Sequence, residues 1–294
     1  MTTSNDRILI DTDELESQLG DPALRVLDCT VFLRPPSPDA PRQSYVQESG
    51  LANFEAGHIP GAAFADLTRA LSDPEARLPF TMPSAERFAA AMSALGVGEG
   101  TRVVCYDANL SMWATRVWWM LRSFGFDDAA VLDGGWKKWQ AEGRPIESGV
   151  GAPRPSATFV ARPRASLIAT REDVLAAGGD PSACVINALS AGQHRGEGAS
   201  PYGRPGHIAG SVNVPAFDLV DRETGAFLPA AALRERFEGV GAMNAGRIIT
   251  YCGGGIAATS DAFALTLLGH EDVAVYDASL SEWARDDSLP MEVG

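Results

Sequence analysis

The sequence predicts an α/β protein made of two similar units, each a mainly parallel sheet with helices on both faces. Two observations carry this. Short apolar runs alternate with stretches of helical length along the 294 residues, and strands that alternate with helices pair in parallel and are covered on both sides. The second half also repeats the order of the first. Val26-Leu27-Asp28-Cys29 matches Val185-Ile186-Asn187-Ala188, and Gly57-His58-Ile59-Pro60-Gly61-Ala62 matches Gly206-His207-Ile208-Ala209-Gly210-Ser211. Arg102 to Tyr106 matches Arg247 to Tyr251, and Gly125 precedes Trp139 by fourteen residues as Gly269 precedes Trp283. A repeat this long duplicates a domain, because solenoid units are much shorter. The first unit is placed at residues 1–142, a Pro/Gly-rich join at 143–163 and the second unit at 164–294.

The elements follow in order. Asp11-Thr12-Asp13-Glu14 is a helix-capping signature leading into Leu15 and Leu19, and Gly20-Asp21-Pro22 ends that helix. Arg25 to Asp28 is a short strand, and residues 34–50, rich in Pro, Ser and charge, read as a surface loop. Gly57 to Ala62 is a tight turn. Pro83-Ser84-Ala85-Glu86 opens a helix to about Leu95, and Arg102 to Tyr106 is a strand. A helix runs from Trp113 to about Phe124, a strand covers Ala130 to Asp133, and Gly134-Gly135-Trp136 opens another helix. The charged stretch Glu282 to Asp287 reads as a solvated terminus.

Composition narrows the function. The formal net charge of −14 argues against a nucleic-acid surface, which needs a basic stripe. No apolar run is long enough to span a bilayer, and the first residues lack the basic and apolar regions of a signal peptide; a cytoplasmic location is expected. The four cysteines, Cys29, Cys105, Cys184 and Cys252, form no C-x-x-C pair, so no structural zinc site is supported. The first three lie in apolar strand-like runs and read as buried free thiols.

Cys252 differs. It follows the apolar strand Arg247-Ile248-Ile249-Thr250-Tyr251 and precedes Gly253-Gly254-Gly255-Ile256-Ala257-Ala258, where an Ala-rich helix to Leu268 begins. Glycines let successive amides turn inward, and a helix N-terminus adds unpaired N–H groups and a positive dipole end. Such donors favour a thiolate. In the first half Asp107 stands at the position of Cys252, followed by Ala-Asn-Leu-Ser-Met. That copy lacks both the nucleophile and the glycines and is expected to be catalytically silent.

With Gly-His-Ile-Pro-Gly-Ala, with Ala114-Thr115-Arg116-Val117-Trp118-Trp119-Met120-Leu121-Arg122, with Val131-Leu132-Asp133-Gly134-Gly135-Trp136 and with the loop from Cys252 to Ala257, the chain resembles the tandem-domain rhodanese family, the two-domain sulfurtransferases. The resemblance implies two rhodanese-like domains with the active site on the second. It implies a cycle in which Cys252 takes a sulfane sulfur from a small anionic donor, thiosulfate or 3-mercaptopyruvate, and passes it as a persulfide to a thiophilic acceptor. That acceptor is cyanide-like or a thiol, including a protein thiol; no metal or organic cofactor is implied. The amides of Gly254, Gly255, Ile256, Ala257 and Ala258 are the candidates for holding the persulfide.

The loop is uncharged and closer to the mercaptopyruvate type, Cys-Gly-Ser-Gly-Val-Thr, than to the basic thiosulfate type. Gly254 replaces that serine and Ala257 the usual Thr or Arg. The family's donor-gripping arginine falls at Gln193, and its usual Asp is Asn187. Arg195 and Arg204 are the alternatives, since an arginine fork suits a carboxylate or sulfonate. His58 and His207, at one turn in both copies, read as structural, and Trp113, Trp118, Trp119 and Trp136 as core or interface packing. A cysteine phosphatase reading needs C-x-x-x-x-x-R, but the seventh position is Ala258. The altered loop, Gln193 and Asn187 leave one alternative: a degenerate rhodanese that relays sulfur or binds a partner, with little turnover on small acceptors.

Overall fold

A computed structural model of the protein describes residues 8–34, 45–151 and 157–294. In the first half β1 (Leu9–Ile10) leads into α1 (Thr12–Gln18), whose first turn is capped by Asp11 accepting the Glu14 amide at 2.7 Å. Strands β2 (Leu24–Asp28), β3 (Val31–Arg34) and β4 (Val46–Ser49) follow, then α2 (Leu51–Ala56) and β5 (Ala63–Phe64). The remaining elements are α3 (Ala85–Ala94), β6 (Arg102–Tyr106), α4 (Met112–Ser123), β7 (Ala129–Leu132) and α5 (Gly135–Ala141).

The second half runs β8 (Ile168–Ala169), α6 (Arg171–Ala177), β9 (Ala183–Asn187), α7 (Ala191–His194), β10 (His207–Ile208) and β11 (Val212–Asn213). It ends with α8 (Ala230–Glu238), β12 (Arg247–Tyr251), α9 (Ala257–Leu267), β13 (Val273–Tyr276), α10 (Ser279–Trp283) and β14 (Met291–Glu292).

Each half centres on a five-stranded parallel sheet, ordered β1-β7-β6-β2-β5 and β8-β13-β12-β9-β11. The repeat extends to register. Asp28 pairs with Tyr106 and Asn187 with Tyr251. The two tyrosine hydroxyls accept the amides of Ile59 at 3.3 Å and Ile208 at 3.0 Å, both in the matching Gly-His-Ile turns. One buried apolar cluster takes side chains from both halves, with α4 packed on α9. Thr115 Oγ1 meets Thr259 Oγ1 at 3.0 Å and Ser260 Oγ at 3.2 Å there, and the Trp118 ring stands edge-on to Phe263 at 4.8 Å.

Three expectations are corrected. Within 34–50, residues 46–49 form a strand that pairs antiparallel with β3, tied by Arg34 to Glu48 at 2.7 Å; a local partner overrides loop-like composition. Residues 35–44 of that stretch lie outside the described residues. Glu282 to Asp287 is solvated only at its charged side chains: Trp283 and Ala284 are buried, the Trp283 Nε1 donating to the Pro290 carbonyl at 3.0 Å. Cys184 is only partly buried, whereas Cys29 and Cys105 are fully enclosed. The described part of the join packs on the first half: Arg144 pairs with Asp13, Glu16 and Glu142, and Arg162 N donates to Phe124 O at 2.7 Å. Among the described residues no helix is long and apolar enough to cross a membrane.

Candidate active site

Cys252 emerges from the carboxyl end of β12, and α9 begins five residues later. This is the end of a parallel sheet at which ligands bind. The backbone must turn sharply there. Gly255 adopts φ +77°, and a Cβ on it would lie 2.5 Å from the Asp277 carbonyl oxygen, so only glycine fits. Among the described residues none of the amides from Gly253 to Ala258 has a protein acceptor. They are gathered beside a thiol-bearing residue that is 3% exposed, in the arrangement of an anion site. The base of the loop is fixed: Cys252 N donates to Ser279 Oγ at 3.0 Å, and Leu280 N donates to Cys252 O at 3.1 Å. Ser281 Oγ donates to Gly253 O at 2.7 Å.

The first half builds a loop on the same plan and fills it. Asp107 follows β6, and its carboxylate accepts the amides of Asn109, Ser111, Trp113 and Ala114 at 2.5, 3.1, 2.8 and 2.8 Å. Burial raises the pKa of this carboxyl, and the four amides oppose that rise.

The second loop is also held from the first half. Arg116 on α4 is completely buried; its guanidinium donates to Gly255 O at 3.2 Å, to Phe80 O at 2.7 Å and to the Asp277 carboxylate. The other Asp277 oxygen accepts Met82 N at 3.1 Å. The turn of the candidate active loop is thus tied to α4 and to residues 80–82 of the other half.

The family model for a rhodanese-like domain matches residues 11–142 and 194–286. The chain belongs to the rhodanese family. The 3-mercaptopyruvate sulfurtransferase of Escherichia coli K12 is 35% identical over 285 residues, covering 96% of this chain and 97% of that protein. Thiosulfate/3-mercaptopyruvate sulfurtransferase 2 of Arabidopsis thaliana is 34% identical over 98% of this chain and 87% of its own length. Among solved structures, the crystal structure of the E. coli 3-mercaptopyruvate enzyme superposes with a TM-score of 0.77 at 32% identity, covering 92% of this chain and 98% of that one.

The arginines expected to grip a donor in this rhodanese are used otherwise. The Arg204 guanidinium donates to the carbonyls of Ala284, Leu289, Trp283 and Asp286 at 3.3, 3.0, 3.2 and 2.5 Å, which makes it a clamp on the C-terminal segment. Arg195 is half exposed and pairs with Glu197 at 2.7 Å. Gln193 lies nearer the loop: it lines one small cleft with Tyr202 and with Leu280, the residue bonded to the Cys252 carbonyl. Asn187 is buried and engaged, its Oδ1 accepting Leu189 N at 3.0 Å. The histidines hold turns. His58 Nδ1 bonds the Phe54 carbonyl and His207 Nδ1 the His194 carbonyl, both at 2.8 Å. His194 stacks on His207 at 3.7 Å, and its pKa falls to about 4 through burial, then through His207 and Arg195.

Two residues beside the loop escaped the sequence reading. Arg116 sits in a quoted motif, but its reach into the other half carries no sequence signal. Tyr202 packs its ring on Gly253 so closely that a Cβ there would lie 2.0 Å from its Cζ. The only available sign was that a tyrosine interrupts the Gly/Ser/Pro-rich run from Gly196 to Gly206.

Proposed function

We propose that this rhodanese is a sulfurtransferase that carries a sulfane sulfur on Cys252, taken from 3-mercaptopyruvate or thiosulfate and passed to a thiophilic acceptor. The observation that carries the reading is one cysteine set among amides that have no acceptor among the described residues, at the carboxyl end of a parallel strand. Its relatives bear the same activity in their names. With thiosulfate the Cys252 thiolate attacks the outer sulfur, an S–S bond forms, and the S–S bond of the donor breaks with its electron pair leaving on sulfite. The persulfide anion is held by the amides of Gly254 to Ala258. The acceptor then attacks the terminal sulfur and returns the thiolate; cyanide becomes thiocyanate and a thiol becomes a persulfide. The first half is the silent copy that supports the loop, and the cytoplasm is the compartment this reading assigns.

The test is thiocyanate production from cyanide with each donor, together with the mass of Cys252 after donor treatment. Turnover with at least one donor and a 32 Da gain on Cys252 (roughly one sulfur atom) are expected, and Cys252→Ser is expected to lower turnover by more than about 10³-fold. Full activity in Cys252→Ser would refute the assignment. A second reading, a sulfur relay with little turnover on small acceptors, draws on Gln193 standing at the donor-gripping position while Arg204 is bonded elsewhere. Fast turnover with cyanide removes it.

A further inference from the structure

The two candidate donors place different demands on the site. Sulfite leaves thiosulfate as a stable anion. Removing sulfur from 3-mercaptopyruvate leaves a three-carbon enolate whose oxygen needs a hydrogen-bond donor. Gly253, Gly254, Gly255, Ile256, Ala257 and Ala258 carry no side-chain donor. The hydroxyls around the loop are committed: Ser279 donates to Tyr276 O at 2.8 Å, Ser281 to Gly253 O at 2.7 Å, Thr259 to Ile256 O at 2.7 Å and Thr250 to Ala258 O at 2.9 Å. Tyr251 is enclosed in the Ile208 turn with Ser211.

Tyr202 is the exception. Its ring lies over Gly253, and a Cβ at 253 would come within 2.3 Å of its hydroxyl oxygen. Among the described residues that hydroxyl has no hydrogen-bond partner, whereas the Tyr202 amide bonds Ser200 Oγ and the Tyr202 carbonyl accepts from Arg285. Burial first, then negative charge at Cys252 and Tyr45, raises the phenol pKa, so the O–H persists through neutral and alkaline pH. A phenol held protonated beside a developing anion is a hydrogen-bond donor that needs no reorganisation. Glycine at 253 is what admits the ring to this position.

We propose that the Tyr202 hydroxyl donates a hydrogen bond to the enolate oxygen of the leaving group and so favours an α-keto thiol donor over thiosulfate. This rests on the sulfurtransferase reading above. Cys252 sulfur bonds to the donor sulfur, and the C–S electron pair moves into the enolate, whose oxygen is held by Tyr202. The donor's own thiol proton ends on the enolate carbon to give pyruvate, and the persulfide anion remains on Cys252. Tyr202 keeps its proton, and no oxidant or reductant enters.

The experiment measures kcat and KM for 3-mercaptopyruvate and for thiosulfate, with cyanide as acceptor, in the wild type and in Tyr202→Phe, which keeps the ring on Gly253. With 3-mercaptopyruvate kcat is expected to fall about 100-fold with little change in KM, the effect of removing one oxyanion donor. The fall with thiosulfate is expected to be smaller by about tenfold or more, on the same reasoning. Equal falls on the two donors would make Tyr202 a mere support for the loop and overturn the proposal. So would an unchanged kcat with 3-mercaptopyruvate, or a wild type that uses thiosulfate alone. A wild type inert toward both donors overturns the sulfurtransferase reading instead.

Discussion

The loops after β6 and β12 leave equivalent tyrosines and meet opposite ends. After Tyr106 the chain supplies its own anion: the Asp107 carboxylate takes four amides, and the turn runs through Leu110 and Ser111 at φ +57° and +63°. After Tyr251 the chain supplies a thiol, its turn uses Gly255 at φ +77°, and the amides keep no acceptor among the described residues. A left-handed leucine is a conformation that bulky side chains avoid. The first loop tolerates it because the carboxylate ties the backbone from within. The second has no carboxylate inside it: its base is tied to Ser279, Leu280 and Ser281 of its own half, and its turn takes a further anchor from the other half, the Arg116 guanidinium. One loop is thus held within its own half, and the other is held in part by its twin.

The sharpest way to break this contrast is to remove the outside anchor. Arg116→Ala leaves the Asp277 carboxylate without its buried partner and is expected to cost about 3–5 kcal/mol of stability in urea unfolding. It should lower kcat with every donor, since the Gly255 turn loses its tie. Lysine should not rescue it, because a point charge cannot serve three acceptors in a plane. A stable, active Arg116→Ala would show that the second loop holds itself.

A smaller effect is expected from Asp107→Ala. Four amides lose their acceptor, and about 1–3 kcal/mol of stability should go with them, while kcat/KM stays near the wild-type value. A large loss of activity without a loss of stability would mean that the first loop does more than support its own half.

The last effect concerns α9, which buries a carboxyl group that has no answering group among the described residues. Asp261 is fully buried, neither carboxyl oxygen has a hydrogen-bond partner among the described residues, and burial raises its pKa well above the usual range. The folded state therefore binds a proton that the unfolded state releases above about pH 4, and stability falls as pH rises from there. Asp261→Asn removes that slope. The variant is expected to gain stability over wild type as pH rises above about 4, and the gain should vanish towards pH 4, where both buried groups are neutral and unpaired. Parallel pH–Tm curves for the two proteins would refute it.

The sheets, the repeat and the glycine turn after Cys252 were legible because their signals are local: apolar runs of strand length, glycines in a row, a turn spelled twice. Arg204 was misjudged because position before Gly206-His207 says nothing about which way a guanidinium folds, and it folds onto the carbonyls from Trp283 to Leu289. Glu282 to Asp287 was misjudged because charge count hid Trp283, whose indole decides the packing. Arg116 and Tyr202 could not be seen because each acts on a residue more than forty-five positions away, across a join or across a folded-back loop.

The Arg116 bridge also bears on how such a chain can evolve. Residue 116 sits in the half without the candidate nucleophile, where substitutions would be expected to accumulate freely on the proposed reading. Its contacts put it under the constraint of an active-site position instead. In a map of mutational tolerance the first half should show a narrow stripe of intolerance along α4 and residues 80–82, set in an otherwise permissive background. Two halves tied in this way are no longer independent units, because the first carries part of the constraint on the second.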